Sequence, residues 1–448
     1  MKLAVLGTGY LGTTHAAAMA QIGHSVVGMD IDPGKVAKLQ AGEVPFYEPS
    51  LTDAVRAGLS SGRLHFTGSA EEAAEFADVF FLTVGTPQNE RDFGADLSHV
   101  FAAVDAISPH LRKPALIVGK STVPVGTAGR LASRVRSCAP AGDDVELAWN
   151  PEFLREGFAV VDTLCPDRIV VGVEDRPRSR GAKMLRDLYS PILDHGRTPF
   201  LVTNLETAEL VKVAANAFLA TKISFINAIS AVCDATSADV SMLSDAIGFD
   251  QRIGRRYLDA GLGFGGGCLP KDIRAFMARA EALGLDQVTR LLGGVDYINT
   301  TQRSLAVQAA RESCQSLTGA RVAALGAAFK PNSDDIRDSP ALAVASAVHR
   351  EGAHVTVFDP KAMSNARSAF PELSYALSAR DACAGADVVM VLTEWEEFRR
   401  IQPEELESVT RAKRIVDARN CLDPQVWRDA GWSYRSFGRP WGAGEMSA

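Results

Sequence analysis

Paired cysteines, a surplus of positive charge and long unbroken apolar runs are all missing from this sequence. Its seven cysteines (Cys138, Cys165, Cys233, Cys268, Cys314, Cys383 and Cys421) are odd in number and form no CxxC pair. That spacing argues against a disulfide framework and against a zinc site, so no metal is expected and a reducing cytoplasm fits best. A formal net charge of -7 argues against nucleic acid or an anionic membrane as partner. It leaves room for a phosphorylated small molecule, which needs only a local cationic site. No stretch reads as long enough to span a bilayer. The opening Met1-Lys2-Leu3-Ala4-Val5-Leu6 meets glycine at once, so it reads as a buried strand and not as a signal peptide.

What is present is a chain of 448 residues, 46% hydrophobic and 23% charged, too long for one ordinary core. Two or three domains are expected. Near the middle stands Gly263-Phe264-Gly265-Gly266-Gly267-Cys268-Leu269-Pro270-Lys271-Asp272. Glycines lack β-carbons and let backbone approach a ligand closely. A thiol beside an ammonium can be partly thiolate, which is a nucleophile. A flexible loop with a structural cysteine fits the same letters, and the rest of the chain has to decide between the two.

The amino-terminal segment decides much. Lys2 to Leu6 reads as a strand, Gly7-Thr8-Gly9-Tyr10-Leu11-Gly12 as a tight turn into a helix, and His24 to Asp30 as a second strand ending in a carboxylate. Strand, glycines, helix, strand and acid arrive in the dinucleotide-binding order. The turn lets a pyrophosphate reach the helix N-terminus. Asp30 would accept from the adenine ribose hydroxyls, and Ile31 follows where an arginine might have met a 2'-phosphate. NAD is therefore favoured over NADP.

Buried strands at Asp78 to Val84 and Ala115 to Lys120 end in Gly85-Thr86-Pro87 and Ser121-Thr122-Val123-Pro124, where an open parallel sheet binds ligands. Thr122 is placed towards the nicotinamide half, although Ser-Thr before Val-Pro also suits a helix cap. The strand Val145 to Trp149 leads into Asn150-Pro151-Glu152-Phe153-Leu154-Arg155-Glu156, read here as a helix start with Glu152 and Glu156 on one face. From Leu205 to about Ala246 the pattern is helical without a break. Lys212 and Asn216 lie four apart there, a pair able to bind an oxyanion or to form a surface stripe. An apolar face on such a helix suits a domain bridge or a dimer interface.

At Arg321 the opening pattern returns: strand Arg321 to Gly326, helix Ala341 to His349, strand His354 to Pro360 with Asp359, then strands at Asp387 to Thr393 and Arg414 to Asp417. The turn Gly326-Ala327-Ala328-Phe329-Lys330 lacks GxGxxG. A nucleotide-like ligand other than a dinucleotide is expected, with Lys330 and Arg337 available for phosphate. The fold class is α/β, with two doubly wound Rossmann-like domains joined by a long central helical segment. The expected division is 1–200 for NAD binding, 201–315 for the helical linker, dimerisation and the cysteine loop, and 316–448 for the second nucleotide. Beyond Arg435 the glycine-rich tail is expected to be mobile.

In combination these motifs resemble the nucleoside-diphosphate-sugar dehydrogenases of the UDP-glucose/GDP-mannose dehydrogenase family over nearly the whole chain, to about Gly438. The run Pro166-Asp167-Arg168-Ile169-Val170-Val171-Gly172 is more similar to the glucose enzymes than to the GDP-mannose enzymes. The resemblance implies a four-electron oxidation of a nucleoside-diphosphate-glucose, UDP-glucose first, at C6, consuming two NAD+ and one water. It implies Cys268 as nucleophile, Lys212 and Asn216 as the oxyanion site, and Thr122, Glu152 and Asp272 around the water. NAD would touch Gly7, Gly9, Tyr10, Leu11, Gly12, Asp30, Lys35, Thr86, Thr122, Glu156, Lys271 and Arg337. The nucleotide sugar would touch Glu152, Phe153, Leu154, Glu156, Lys212, Asn216, Tyr257, Gly265, Phe329, Lys330 and Arg419, with Arg252 reaching in from a second copy in a homodimer. Gly267 departs from the family's frequent serine and Lys35 from its occasional arginine. The base preference among UDP, dTDP and GDP is not legible. A two-electron hydroxyacid or polyol dehydrogenase with a structural Cys268 is the rival within enzymes, and an NAD-sensing module the rival outside them.

Overall fold

A computed structural model describes residues 1–89, 93–174 and 179–439 of the chain. The chain divides into two compact units, Met1–Ala215 with Arg274–Arg279, and Asn216–Ile273 with Ala280–Ala448.

The first unit is built on eight strands: β1 (Lys2–Leu6), β2 (Ser25–Met29), β3 (Leu64–Thr67), β4 (Val79–Leu82), β5 (Ala115–Gly119), β6 (Val145–Trp149), β7 (Ile169–Val173) and β8 (Phe200–Thr203). They lie in the order β3-β2-β1-β4-β5-β6-β7-β8. Every pairing is parallel except β6 with β7. Strands β4, β5 and β7 are buried throughout, as a sheet covered on both faces requires. Strand alternation sorts the core: Leu3 and Val5 enter one cluster, Ala4 and Leu6 the other.

The second unit repeats the topology with β9 (Arg321–Leu325), β10 (His354–Phe358), β11 (Ser374–Tyr375), β12 (Val388–Val391), β13 (Arg414–Asp417) and β14 (Ser433–Ser436). Their order is β11-β10-β9-β12-β13-β14, all parallel. Both sheets therefore reverse direction beside their first strand, where doubly wound folds bind ligands. The expected fold class is the observed one: a parallel sheet of Rossmann type in each of two domains, joined by a long helix.

That helix spans Leu205–Thr236, 32 residues. By length and composition it is apolar enough to cross a membrane, which corrects the sequence reading that no stretch is. Its buried polar side chains have protein partners: Glu209 accepts from the Gly126 and Ala128 amides, and Asn227 from the Gly261 amide. The helical pattern read through Ala246 is in fact broken. Ser237 adopts φ 57, and a separate helix, Val240–Gly248, starts on an Asp239 cap that accepts from Ser241 and Met242.

The tail also differs from expectation. Phe437 is buried, and the Gly438 amide donates to Asp234 while its carbonyl accepts from Val240. With φ +70 and Ser230 Cβ 2.6 Å from where its own Cβ would sit, Gly438 is a glycine by necessity. Residues 440–448 of the expected mobile tail lie outside the described residues.

Candidate active site and cofactor cleft

In the first unit the helix Tyr10–Gln21 starts directly from the glycine turn, with Tyr10 and Leu11 half-buried at its head. Gly7 has φ +94, and a Cβ there would meet Val84 Cγ1 at 2.7 Å; a Cβ on Gly12 would meet the Gly7 carbonyl at 1.9 Å. Gly9 differs, because its missing Cβ faces open space. Two glycines thus close the turn, and the third leaves room for a ligand's phosphates at the helix end. Thr83 Oγ1 braces the turn from below, donating to the Gly7 carbonyl at 2.8 Å.

Asp30 Oδ2 accepts from the Thr8 amide at 2.8 Å, from Thr8 Oγ1 at 3.0 Å and from Lys35 Nζ at 2.9 Å. Burial pushes the Asp30 carboxyl up, but Lys35 and the Asp32 and Thr8 amides outweigh it and hold it below its usual value. Asp30 is thus a carboxylate at neutral pH. Among the described residues its Oδ1 accepts only from the Asp32 amide at 3.1 Å, which leaves acceptor capacity for a ribose. A carboxylate here repels a 2'-phosphate, and neighbouring Ile31 is exposed without a charge. The residues present fit NAD.

The turn of the second unit makes the contrast. Asp359 holds Asp30's position in the repeat, yet Oδ2 accepts from the Ala327 and Ala328 amides and from Trp395 Nε1, and Oδ1 from the Lys361 and Ala362 amides. Five protein donors saturate this acid, so it is spent on its own fold.

The segment after β6 is not the expected helix start. Residues 151–155 have no regular structure, so Glu152 and Glu156 do not share a helix face. The chain turns instead on the buried carboxylate of Glu48, which accepts from the Gly157 amide at 2.6 Å, the Ala159 amide at 2.7 Å and the Tyr10 hydroxyl. Glu152 Oε1 pairs with Lys212 Nζ at 3.0 Å, and its Oε2 accepts from the Leu154 amide at 2.7 Å. Both side chains are largely buried. Phe153 lies against the Arg168 guanidinium at 3.8 Å and faces Lys212 at 5.8 Å. Thr86 Oγ1 donates to the Thr122 carbonyl at 2.9 Å, tying two sheet-edge loops together. Glu156 is buried near Tyr10.

Three residues of this half-site went unread in the sequence. Glu48 is one. Glu209 is another, capping the helix Thr127–Cys138 through the Gly126 and Ala128 amides at 2.7 and 2.6 Å. Lys120 is the third, buried directly after β5. An acid before Pro49 and a lysine closing an apolar strand were the available signals.

In the second unit Asn216 Nδ2 donates to Asp272 Oδ2 at 2.7 Å, and Lys271 Nζ to Asp272 Oδ1 at 2.7 Å. Lys212 and Asn216 are one turn apart on the long helix. Cys268 is exposed, and its carbonyl accepts from the Asp272 amide at 3.0 Å, opening the helix Leu269–Ala282. An anion is favoured at such an end. The glycines before it are packed by protein. A Cβ on Gly265 would meet the Asp338 carbonyl at 2.3 Å, one on Gly266 the Phe329 ring at 2.7 Å, and one on Gly267 the Arg337 guanidinium at 2.3 Å. Close approach to the 329–340 segment, more than approach to a ligand, demands glycine at 265 and 266, whereas at 267 the guanidinium can move aside.

Lys330 faces the Phe329 ring at 5.2 Å. Arg419 donates to the Leu392, Gly263 and Phe329 carbonyls at 2.7, 3.0 and 3.4 Å, bracing the loops at the end of the sheet. Tyr257 adopts φ 68, uncommon for a bulky residue. Arg252 projects into solvent and pairs with its own Asp250. Among the described residues no group of three or more His, Cys, Asp or Glu could hold a metal.

A dinucleotide turn with an ionised acid, and a second Rossmann-type domain whose corresponding acid is spent on its own fold, define a protein with an NAD-type cofactor site in its first domain. Comparison makes this specific. Three domains of the UDP-glucose/GDP-mannose dehydrogenase family match in order: the NAD binding domain over residues 1–193, the central domain over 206–301 and the UDP binding domain over 323–424. The chain is 40% identical to UDP-glucose 6-dehydrogenase of Rhizobium meliloti (strain 1021), covering 98% of this chain and 100% of that protein. It is 39% identical to UDP-glucose 6-dehydrogenase TuaD of Bacillus subtilis, covering 98% and 93%. The solved UDP-glucose dehydrogenase of Pyrobaculum islandicum superimposes with a TM-score of 0.89 at 39% identity, covering 99% of this chain and 98% of that one. The chain belongs to the UDP-glucose/GDP-mannose dehydrogenase family, and it is an NAD-dependent nucleotide-sugar dehydrogenase.

Proposed function

We propose that the protein oxidises UDP-glucose at C6 to UDP-glucuronate, consuming two NAD+ and one water and passing through a Cys268 thiohemiacetal and thioester. The observation that most supports this is an exposed thiol at a helix start, four residues before Asp272 and its bonds to Asn216 and Lys271. NAD, when bound, accepts the hydride lost in each oxidation. The Cys268 thiolate adds to the C6 aldehyde of the first oxidation. Lys212 and Asn216 stabilise the oxyanion so formed, where one donor removed typically costs about 3–4 kcal/mol. After the second hydride leaves, a thioester remains on Sγ. Glu152 and Asp272, with Thr122, hold and deprotonate the water that releases the carboxylate.

The remaining assignments belong to the same proposal. Asp30, Lys35, Thr86, Thr122, Glu156, Lys271 and Arg337 serve the cofactor; Phe153, Leu154, Tyr257, Gly265, Phe329, Lys330 and Arg419 serve the nucleotide sugar. The division at about 200 and 315 is supported by the three matched spans. A homodimer is supported by Phe218, Phe225 and Val232, all exposed seven residues apart on the long helix. The outward guanidinium of Arg252 suits a role in the partner's site. A cytoplasmic location without nucleic-acid or membrane partner accords with the acidic balance of the chain.

NADH counted per substrate consumed, with UDP-glucose, dTDP-glucose and GDP-mannose side by side, tests the reading. Two per UDP-glucose is expected, and one would support the two-electron rival. Cys268→Ser is expected to stall at thioester formation or hydrolysis. Full product release by Cys268→Ala in a single turnover, followed by mass spectrometry, would refute the covalent route.

A further inference from the structure

Lysine is seldom buried without a paired charge, yet Lys120 is 7% exposed at the end of β5. Among the described residues, its side chain hydrogen-bonds to one residue: Nζ donates to Asn150 Oδ1 at 3.0 Å and to the Asn150 carbonyl at 3.4 Å. Asn150 is held from other directions as well. Its amide donates to the Gly119 carbonyl at 2.8 Å, its Nδ2 to the Val170 carbonyl at 2.8 Å, and its Oδ1 accepts from the Tyr189 hydroxyl at 2.8 Å. Two residues on, Glu152 pairs with Lys212.

We propose that Lys120 is a positioning residue for Glu152: its ammonium locks Asn150, and so fixes the Asn150–Leu154 segment that presents Glu152 to Lys212. This rests on the role given to Glu152 in the proposed function. The groups facing Lys120 leave its charge directed at that carboxylate. His15, on the helix Tyr10–Gln21, is buried and held neutral, its pKa far below the usual value through desolvation. Tyr189 is driven to remain a neutral phenol by burial. Phe81 on β4 offers its ring face at 5.8 Å. Glu152 is the charged group attracting the ammonium.

Burial lowers the Lys120 pKa to about 8, against the opposing pull of Glu152. The sign follows. Below pH 8 the ammonium is present, holds the Asn150 side chain and attracts the Glu152 carboxylate. Above it the charge is lost, and the segment loses its electrostatic tie.

The test is the pH profile of kcat with UDP-glucose and NAD for wild type, Lys120→Met, Lys120→Arg and Glu152→Gln. Wild type is expected to lose activity through an inflection near pH 8. Lys120→Met, close in volume, is expected to be slower by roughly ten- to a hundredfold at pH 7 and to lack that inflection, since small misplacements cost this much. Lys120→Arg, permanently charged, should recover activity relative to Lys120→Met and move the alkaline fall out of range. Profiles of both lysine variants that keep the wild-type shape, with only a lowered Tm, would overturn the proposal. So would a Lys120→Arg variant no better than Lys120→Met in a folded protein. Undiminished Glu152→Gln would instead refute the role given to Glu152, a distinct outcome.

Discussion

Two acids at equivalent places, Asp30 and Asp359, show how neighbours assign a residue's work. Both end the second strand of their sheet, and both are buried. Asp359 is saturated by four backbone amides and an indole, whereas Asp30 keeps acceptor capacity at Oδ1. Asp30→Asn keeps the shape and removes the charge. It is expected to raise KM for NAD by about tenfold, or 1.4 kcal/mol, and to narrow the preference over NADP. Steady-state kinetics with both cofactors checks this. The pH sense is also set. The Asp30 carboxyl is held below its usual value, so its stabilising contribution is present at neutral pH and lost only as acid protonates the folded carboxylate. NAD affinity measured by titration should therefore stay flat from pH 8 down through the usual carboxylate range and fall only in more acid solution.

Among elements, the long helix Leu205–Thr236 does the most varied work. Glu209 caps the helix Thr127–Cys138 behind the Ser121–Pro124 loop, Lys212 pairs with Glu152, and Asn216 holds Asp272. Glu209→Ala leaves the Gly126 and Ala128 amides without their acceptor. A loss of about 1–2 kcal/mol is expected, typical of a removed helix cap. For a unit of this size that is roughly 2–8 °C in Tm, measurable by calorimetry. The glycine-cysteine loop belongs to the same scale. Gly265 and Gly266 are dictated by Asp338 and Phe329, so Gly266→Ala, at φ +86 against an aromatic ring, should be far more damaging than Gly267→Ala, whose nearest neighbour is a movable guanidinium.

For the whole molecule the question is which surfaces remain uncovered. Phe218, Phe225 and Val232 form a row along one side of the helix, exposed in the single chain. Solvent-facing phenylalanines repeated at this spacing are expected to be buried by a second copy. On the proposed homodimer, Phe225→Glu is expected to shift the sedimentation of the protein towards that of a monomer in analytical ultracentrifugation. Should Arg252 serve the partner's site, it should also lower activity while each chain stays folded.

Much of this protein was legible because its signals are local. A parallel sheet reads as short apolar runs spaced by helices, and a dinucleotide turn is fixed within about thirty residues from Leu3 to Asp30. The repeat at Arg321, and its lack of a second GxGxxG, followed from the same letters. Tertiary structure decided what depends on distant partners. Glu48 meets Gly157, Lys120 meets Asn150 and Glu209 meets Gly126 across 109, 30 and 83 residues. No local pattern marks such pairs, because a buried charge is tolerable only beside the donors or acceptors that folding brings to it. It also decided that Glu152 and Glu156 part company: the Glu48 carboxylate captures the Gly157 and Ala159 amides, and the chain after β6 turns there as a loop instead of winding into a helix.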